Sequence, residues 1–145
     1  MEIRQIEPAV SADLRREVLR GGRPVPLPGD ESPAFHVGVY DEGVLVATGN
    51  VRPAPPPWLP DDESSERGSW RVRGMATDPA SRGKGAGALV LEALVAHARE
   101  RGGRLLWCNA RTPAQRFYER AGLQTRGEPW TEPEIGPHVV MWRRL

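Results

Sequence analysis

Alternating apolar and polar positions open the chain: residues 2–6, EIRQI, predict a short strand. Ser11 stands as the N-cap of a helix to about Arg20, with Leu14 and Val18 on its inward side and Gly21-Gly22 as its stop. Residues 23–34 hold four prolines and no period, which predicts a loop. Two β-rich runs follow, 35–40 (FHVGVY) and 44–51 (VLVATGNV), with DEG between them as a hairpin signal. The stretch RPAPPPWLPDDESSERGS is rich in proline, acid and serine and reads as an exposed, mobile loop. Its Trp58 is either a lid or an aromatic that pins the loop to the body. Residues 70–77 form the next strand, closed by Asp78-Pro79.

From Gly87 or Ala88 to about Arg101, Val90, Leu91, Leu94, Val95 and Ala98 recur at helical spacing, and Gly102-Gly103 ends the run. Residues 104–109 (RLLWCN) read as a buried strand, parallel to its predecessor after a right-handed crossover. Thr112 caps a helix with Pro113 at its first position, stopped at Gly122. LQTRGEPW and HVVMWRRL predict two last strands. The order β-α-β-β-β-α-β-α-β-β implies an α+β fold, a mixed, mostly antiparallel central sheet flanked by helices. At 145 residues a single domain, 1–145, is expected.

Composition narrows the function more by exclusion than by assignment. A formal charge of +1 gives no global field for nucleic acid or a membrane surface. No apolar run reaches the roughly 18 residues that span a bilayer, and MEIRQIEPAV carries no signal-peptide pattern. A cytoplasmic protein is therefore expected, without nucleic-acid or membrane partners. The single cysteine excludes an intrachain disulfide, and the three histidines lack metal-ligand spacing, so no metal is expected. Cys108 is either an acyl-carrying nucleophile or, in a central strand, a small hydrophobe. Arg15, Arg16, Arg20 and Arg23 either face a substrate entrance or form a solvated basic face, the plainer reading.

The chemistry concentrates in Arg82-Gly83-Lys84-Gly85-Ala86-Gly87, just before the long helix, and Lys84 is the only lysine of the chain. Glycine permits positive φ and close approach of a ligand. A helix start offers unpaired N–H groups and a positive dipole end, so the stretch suits a phosphate or pyrophosphate. A Walker A loop needs GxxxxGK[ST], which is absent. A dinucleotide fingerprint, Gly83-x-Gly85-x-x-Ala88, belongs near the start of a repeated βαβ fold with an acid ending the next strand. Here hairpins precede it, and that strand ends in Cys108-Asn109.

The hexapeptide resembles the Q/R-x-x-G-x-G/A signature of the GNAT superfamily of acyl-CoA-dependent N-acetyltransferases. Met75-Ala76-Thr77-Asp78-Pro79 is similar to the strand end before that loop, and Ala114-x-x-Phe117-Tyr118-Glu119-Arg120-x-Gly122-Leu123 to the family's second cofactor-side helix. Glu128…Gly136-Pro137-His138-Val139-x-Met141 resembles the ElaA-like branch. The resemblance implies acetyl-CoA as co-substrate and a small-molecule or protein amine as acceptor. It also implies backbone pairing of the strand segment Met75, Ala76 and Thr77 with the pantetheine arm, and a pyrophosphate seat at Arg82, Gly83, Lys84, Gly85, Ala86 and Gly87. Asn109 would sit near the thioester, Tyr118 would protonate the departing thiolate, and the last strands would allow a homodimer.

The strand before the loop, SWRVRGMAT, lacks the glutamate many relatives carry, and Arg111 stands where they often have asparagine. The base is therefore His138, with Glu128, Glu132 and Glu134 as nearby alternatives, or else the amine arrives neutral. His138 equally suits a structural role in the Gly-Pro turn. Arg71 and Arg73 share one strand face, so either an acceptor with a carboxylate or phosphate or a plain surface pair accounts for them. Arg73, Arg111 and Glu134 are the candidate acceptor contacts. The reading from another class is a non-catalytic acyl-CoA-binding or regulatory domain.

Overall fold

The structure, a computed structural model, describes residues 1–19, 21–22 and 34–145. Arg20, Arg23 and most of the predicted loop at 23–34 lie outside the described residues. Seven strands form one sheet among those residues: β1 (Glu2–Gln5), β2 (Phe35–Asp41), β3 (Val44–Pro53), β4 (Ser69–Thr77), β5 (Leu105–Arg111), β6 (Gln124–Glu132) and β7 (Gly136–Arg144), in the order β1-β2-β3-β4-β5-β7-β6. The β4–β5 pair is parallel, as the crossover predicted, and the β1–β2, β2–β3, β5–β7 and β6–β7 pairs are antiparallel. Helices α1 (Ala12–Leu19), α2 (Glu63–Gly68), α3 (Ala86–Glu100) and α4 (Gln115–Arg120) complete the α+β fold. The chain divides into two compact units, Met1–Arg52 with Val72–His97, and Pro53–Arg71 with Ala98–Leu145.

In the first unit the DEG signal becomes a two-residue loop, with Asp41 paired to Val44 and both Glu42 (φ 50°) and Gly43 (φ 81°) left-handed. Two positive φ values define a type I′ turn, whose twist matches that of the flanking strands. Helix α3 buries Val90, Leu91, Leu94 and Val95. It packs so closely that a Cβ on Gly49 of β3 would lie 2.7 Å from Val90 Cγ1. Two helix starts differ from expectation. Ser11 belongs to a 3-10 turn, Pro8–Ser11, that runs into α1, so it is no N-cap; its Oγ instead accepts from Arg15 Nε at 3.0 Å. Helix α3 begins at Ala86, with Leu89 N–H donating to the Gly85 carbonyl at 3.1 Å.

In the second unit the segment read as one exposed loop contains α2, capped by the Asp62 carboxylate, which accepts from Ser65 N–H at 2.9 Å. The rest is held down: Pro56 is buried, Trp107 Nε1 donates to the Ala54 carbonyl at 2.9 Å, and Trp58 meets Trp142 edge-on at 5.9 Å under Arg126. Trp58 is therefore an anchor. At the end of α3, Gly103 N–H reaches the Ala98 carbonyl and Gly102 N–H the Arg99 carbonyl, a Schellman stop. The same pattern ends α4, with Leu123 N–H on the Tyr118 carbonyl and Gly122 N–H on Glu119. Thr112 does not cap this helix: Thr112–Ala114 is a 3-10 turn that leads into it.

Candidate active site

Around the glycine loop, Asp78 sets the approach. Its backbone N–H donates to the Val46 carbonyl at 2.8 Å, and its carboxylate accepts from Ala80 N–H at 3.0 Å, turning the chain out of β4. Arg82, Gly83, Lys84 and Gly85 are then exposed, before the buried Ala86 starts α3. Gly83 (φ 79°) and Gly85 (φ 85°) are left-handed, and an added Cβ at either would meet nothing within 4 Å. Glycine is needed here for backbone conformation, since the space around it is open. No acid occupies the first turn of α3, so its unpaired N–H groups and dipole face no competing carboxylate. An exposed loop with two cationic side chains, left-handed glycines and a bare helix start fits the pyrophosphate of CoA. Just before it, Ala76 is buried and Met75 and Thr77 are half-buried; the Met75 sulfur lies against Gly49 in the core, leaving only its backbone for a ligand.

The second unit holds five of the predicted site residues, Asn109, Arg111, Tyr118, Glu134 and His138. Tyr118 of α4 is only 6% exposed and is close enough to the Cys108 thiol of β5 for the two groups to shift one another. Burial, then the neighbouring sulfur, raises the phenol well above its ordinary range, so Tyr118 stays protonated at neutral pH. Burial also pushes the Cys108 thiol up to about 12, partly offset by Arg71 and Tyr118. A thiol so raised is no nucleophile at neutral pH, and Cys108 is the small hydrophobe of the two readings. Arg111 closes β5; burial lowers its pKa while Tyr118 raises it. Its partner in the β5–β7 register is His138.

His138 is buried and stacks on Trp130 at 5.7 Å. Its Nδ1 lies 2.9 Å from the Gly136 carbonyl. A carbonyl only accepts, so Nδ1 is the donor in this bond, and in a neutral ring the lone pair would lie on Nε2. The ring thus ties back to the turn, the structural role that His138 equally suited, and leaves Nε2 outside that bond. Asn109 is the exposed residue between buried Cys108 and Ala110. The acidic alternatives are all exposed: Glu128 and Glu132 on β6, with Glu132 accepting from Trp130 Nε1, and Glu134 at the tip of the β6–β7 turn with φ 65°.

Sequence reasoning missed Arg15. It is 6% exposed rather than part of a solvated face, because its guanidinium folds back onto Ser11 Oγ and the Pro8 carbonyl at 3.0 and 2.8 Å. His36 beside it is 3% exposed, with neither ring nitrogen partnered among the described residues. Burial and then the Arg15 charge depress its pKa to about 4. Only the spacing of Ser11 and Arg15, one helical turn apart, hinted at this. No group of three or more metal-binding side chains occurs among the described residues, and no helix there is long and apolar enough to cross a membrane.

Comparison with known proteins places the chain in a family. Residues 7–123 match the model of the acetyltransferase (GNAT) family. The uncharacterized N-acetyltransferase YitI of Bacillus subtilis (strain 168) is 34% identical over 112 residues, 77% of this chain and 72% of that protein. Among solved structures, Escherichia coli ElaA is similar with a TM-score of 0.71 at 19% identity, covering 98% of each chain. An aminoglycoside 6'-N-acetyltransferase complexed with coenzyme A has the same TM-score at 16% identity, covering 99% of this chain and 97% of its own. The family match and the curated relative together make this chain a member of the GNAT family and an acyl-CoA-dependent N-acetyltransferase.

Proposed function

We propose that residues 1–145 act as one catalytic domain that moves an acetyl group from acetyl-CoA to a primary amine by direct attack, both substrates being bound together. Acetyl-CoA supplies the activated thioester. The observation that carries this reading is the loop at 82–87, exposed, cationic and left-handed at two glycines where α3 begins. Its backbone N–H groups bind the pyrophosphate, with Arg82 and Lys84 adding charge. The backbone of Met75, Ala76 and Thr77 supports the pantetheine arm as an added strand does. Asn109 lies toward the thioester.

Tyr118 is the proton donor to the leaving thiolate. Its phenol is protonated at neutral pH, as a donor must be, and it sits beside a sulfur, that of Cys108. His138 Nε2 is the basic nitrogen offered to the incoming amine, with Arg111 and Glu134 as acceptor contacts. Thermal unfolding with acetyl-CoA, CoA, NADH and ATP in parallel tests the cofactor. A ligand at 100 times its Kd adds about 2.7 kcal/mol. Stabilisation by acetyl-CoA and CoA alone is expected, followed by amine-dependent release of free thiol; stabilisation by NADH instead removes the reading.

A further inference from the structure

The register of the β6–β7 hairpin slips once, and the slip decides what covers His138. Arg126 faces Val140 and Trp130 faces His138, which leaves three residues of β6, Gly127, Glu128 and Pro129, against one of β7. In an unbroken ladder Glu128 would oppose His138. Gly127 is left-handed (φ 80°) and Pro129 has no N–H to give to a ladder, two features that mark a bulge on an edge strand. The two extra residues carry Trp130 into the place of Glu128. There its ring stacks on the imidazole, with centroids 5.7 Å and planes 25° apart. The indole is itself held, Nε1 donating to Glu132 Oε1 at 2.9 Å. Glu132 is the register partner of Gly136, whose carbonyl lies 2.9 Å from His138 Nδ1. One residue pair across the hairpin therefore holds both the ring that covers His138 and the edge of His138 itself.

The torsion that turns an imidazole plane has broad, two-fold wells, so its neighbours must set it. A half-turn of the ring would take Nδ1 off the Gly136 carbonyl and move Nε2 with it. Bulges re-aim side chains beside functional groups, and a reacting group needs its rotamer locked by packing and by hydrogen bonds behind it. We infer that Trp130, held by Glu132, is a positioning residue for His138: its stacked ring keeps the imidazole on the Gly136 carbonyl and presents Nε2 as the lone-pair nitrogen in one orientation. The inference rests on the proposed function for the role of Nε2 as base; the orientation of the ring does not.

The test is long-range proton–nitrogen NMR of protein carrying heavy-nitrogen histidine, at alkaline pH where an imidazole is neutral. His138→Gln identifies the signals of His138 among the three histidines. In a neutral ring the N–H and lone-pair nitrogens resonate far apart, and exchange between tautomers draws them together. Wild type is expected to show His138 as one tautomer, with the proton on Nδ1. Trp130→Leu should lose that separation and give signals averaged over both tautomers. Trp130→Phe, which keeps a stacked ring, should largely restore it. Cooperative thermal unfolding reports that each variant is folded. Should the leucine variant not fold, Glu132→Ala, at an exposed position, frees the indole and should draw the signals part of the way together. Averaged signals in wild type overturn the inference, as does wild-type separation in folded Trp130→Leu or, in its place, in Glu132→Ala. The base reading fails differently: undiminished thiol release from acetyl-CoA by His138→Gln would remove the base and leave the orientation of the ring by Trp130 standing.

Discussion

Residues 82–85 of the first unit are exposed, their glycines have open space around them, and what they offer a ligand is backbone. Tyr118, Cys108 and His138 of the second unit are buried, and what they offer is side-chain chemistry adjusted by their surroundings. The loop is defined by two left-handed φ angles, 79° at Gly83 and 85° at Gly85. The buried cluster is defined by its protonation: a phenol raised by burial beside a thiol pushed up to about 12. Binding by backbone tolerates solvent, since helix N–H groups and a dipole need no desolvation to attract a phosphate. The buried side chains are governed by their surroundings instead, since burial shifts the phenol and the thiol upward.

The contrast breaks most visibly at Tyr118. Tyr118→Phe keeps the ring against Phe117 and removes only the hydroxyl. Turnover should fall by about 100-fold, the scale of a lost general acid, while KM for acetyl-CoA stays close to wild type. Because the phenol pKa is raised, Tyr118 should cause no loss of activity as the pH rises to 10. Steady-state kinetics across pH checks both statements, and an unchanged kcat would take Tyr118 out of the mechanism. Gly85→Val should do the opposite. A valine forced to φ 85° costs about 1–2 kcal/mol, so the loop relaxes away and acetyl-CoA binds roughly tenfold more weakly. At saturating acetyl-CoA, turnover should recover toward wild type. Calorimetric titration of acetyl-CoA gives the affinity, and a variant that binds normally would show that the left-handed geometry is dispensable.

These two regions were not equally legible in the sequence. The loop was readable because its glycines, its cations and the helix it opens are contiguous, and one stretch of chain carries the whole device. The type I′ hairpin was legible for the same local reason, two β-rich runs bounding a turn signal, whereas the parallel β4–β5 pair followed from the crossover rule applied to the long helix between them. The pairing of Arg111 with His138 depends on the β5–β7 register, which no local pattern sets. Burial of Arg15 escaped because a long cationic side chain at a helix surface ordinarily faces water, and only its fold-back onto Ser11 and Pro8 keeps it inside. Helix α2 was hidden by composition: the prolines before it mark a loop, and its cap is Asp62 bonding a backbone N–H, which any residue at 65 would supply.

Stability separates the units on a smaller scale. In the first unit His36 titrates near 4 when folded and near 6.5 when unfolded. Between those values the unfolded chain binds the extra proton, so the stability present above pH 6.5 is lost as pH falls toward 4. At about 1.4 kcal/mol per unit the loss is roughly 3–4 kcal/mol. The difference between wild type and His36→Gln in urea unfolding isolates this contribution from the carboxylates, and equal pH slopes for the two proteins would mean that His36 is not held neutral.

The smallest effect belongs to the second unit and concerns no chemistry at all. Asp62 is exposed and makes one contact that matters, accepting from Ser65 N–H at the start of a helix of only six residues. Too short to persist by its own hydrogen bonds, α2 relies on that cap and on the strand it feeds. Asp62→Ala should cost about 1 kcal/mol, seen as a lower urea midpoint with unchanged m value. Acetyl-CoA affinity and turnover should stay at wild-type levels, since the segment is pinned independently through Ala54, Pro56 and Trp58. A loss of turnover beyond that stability cost would instead tie this Pro- and acid-rich segment to the reaction and give Trp58 a role besides anchoring.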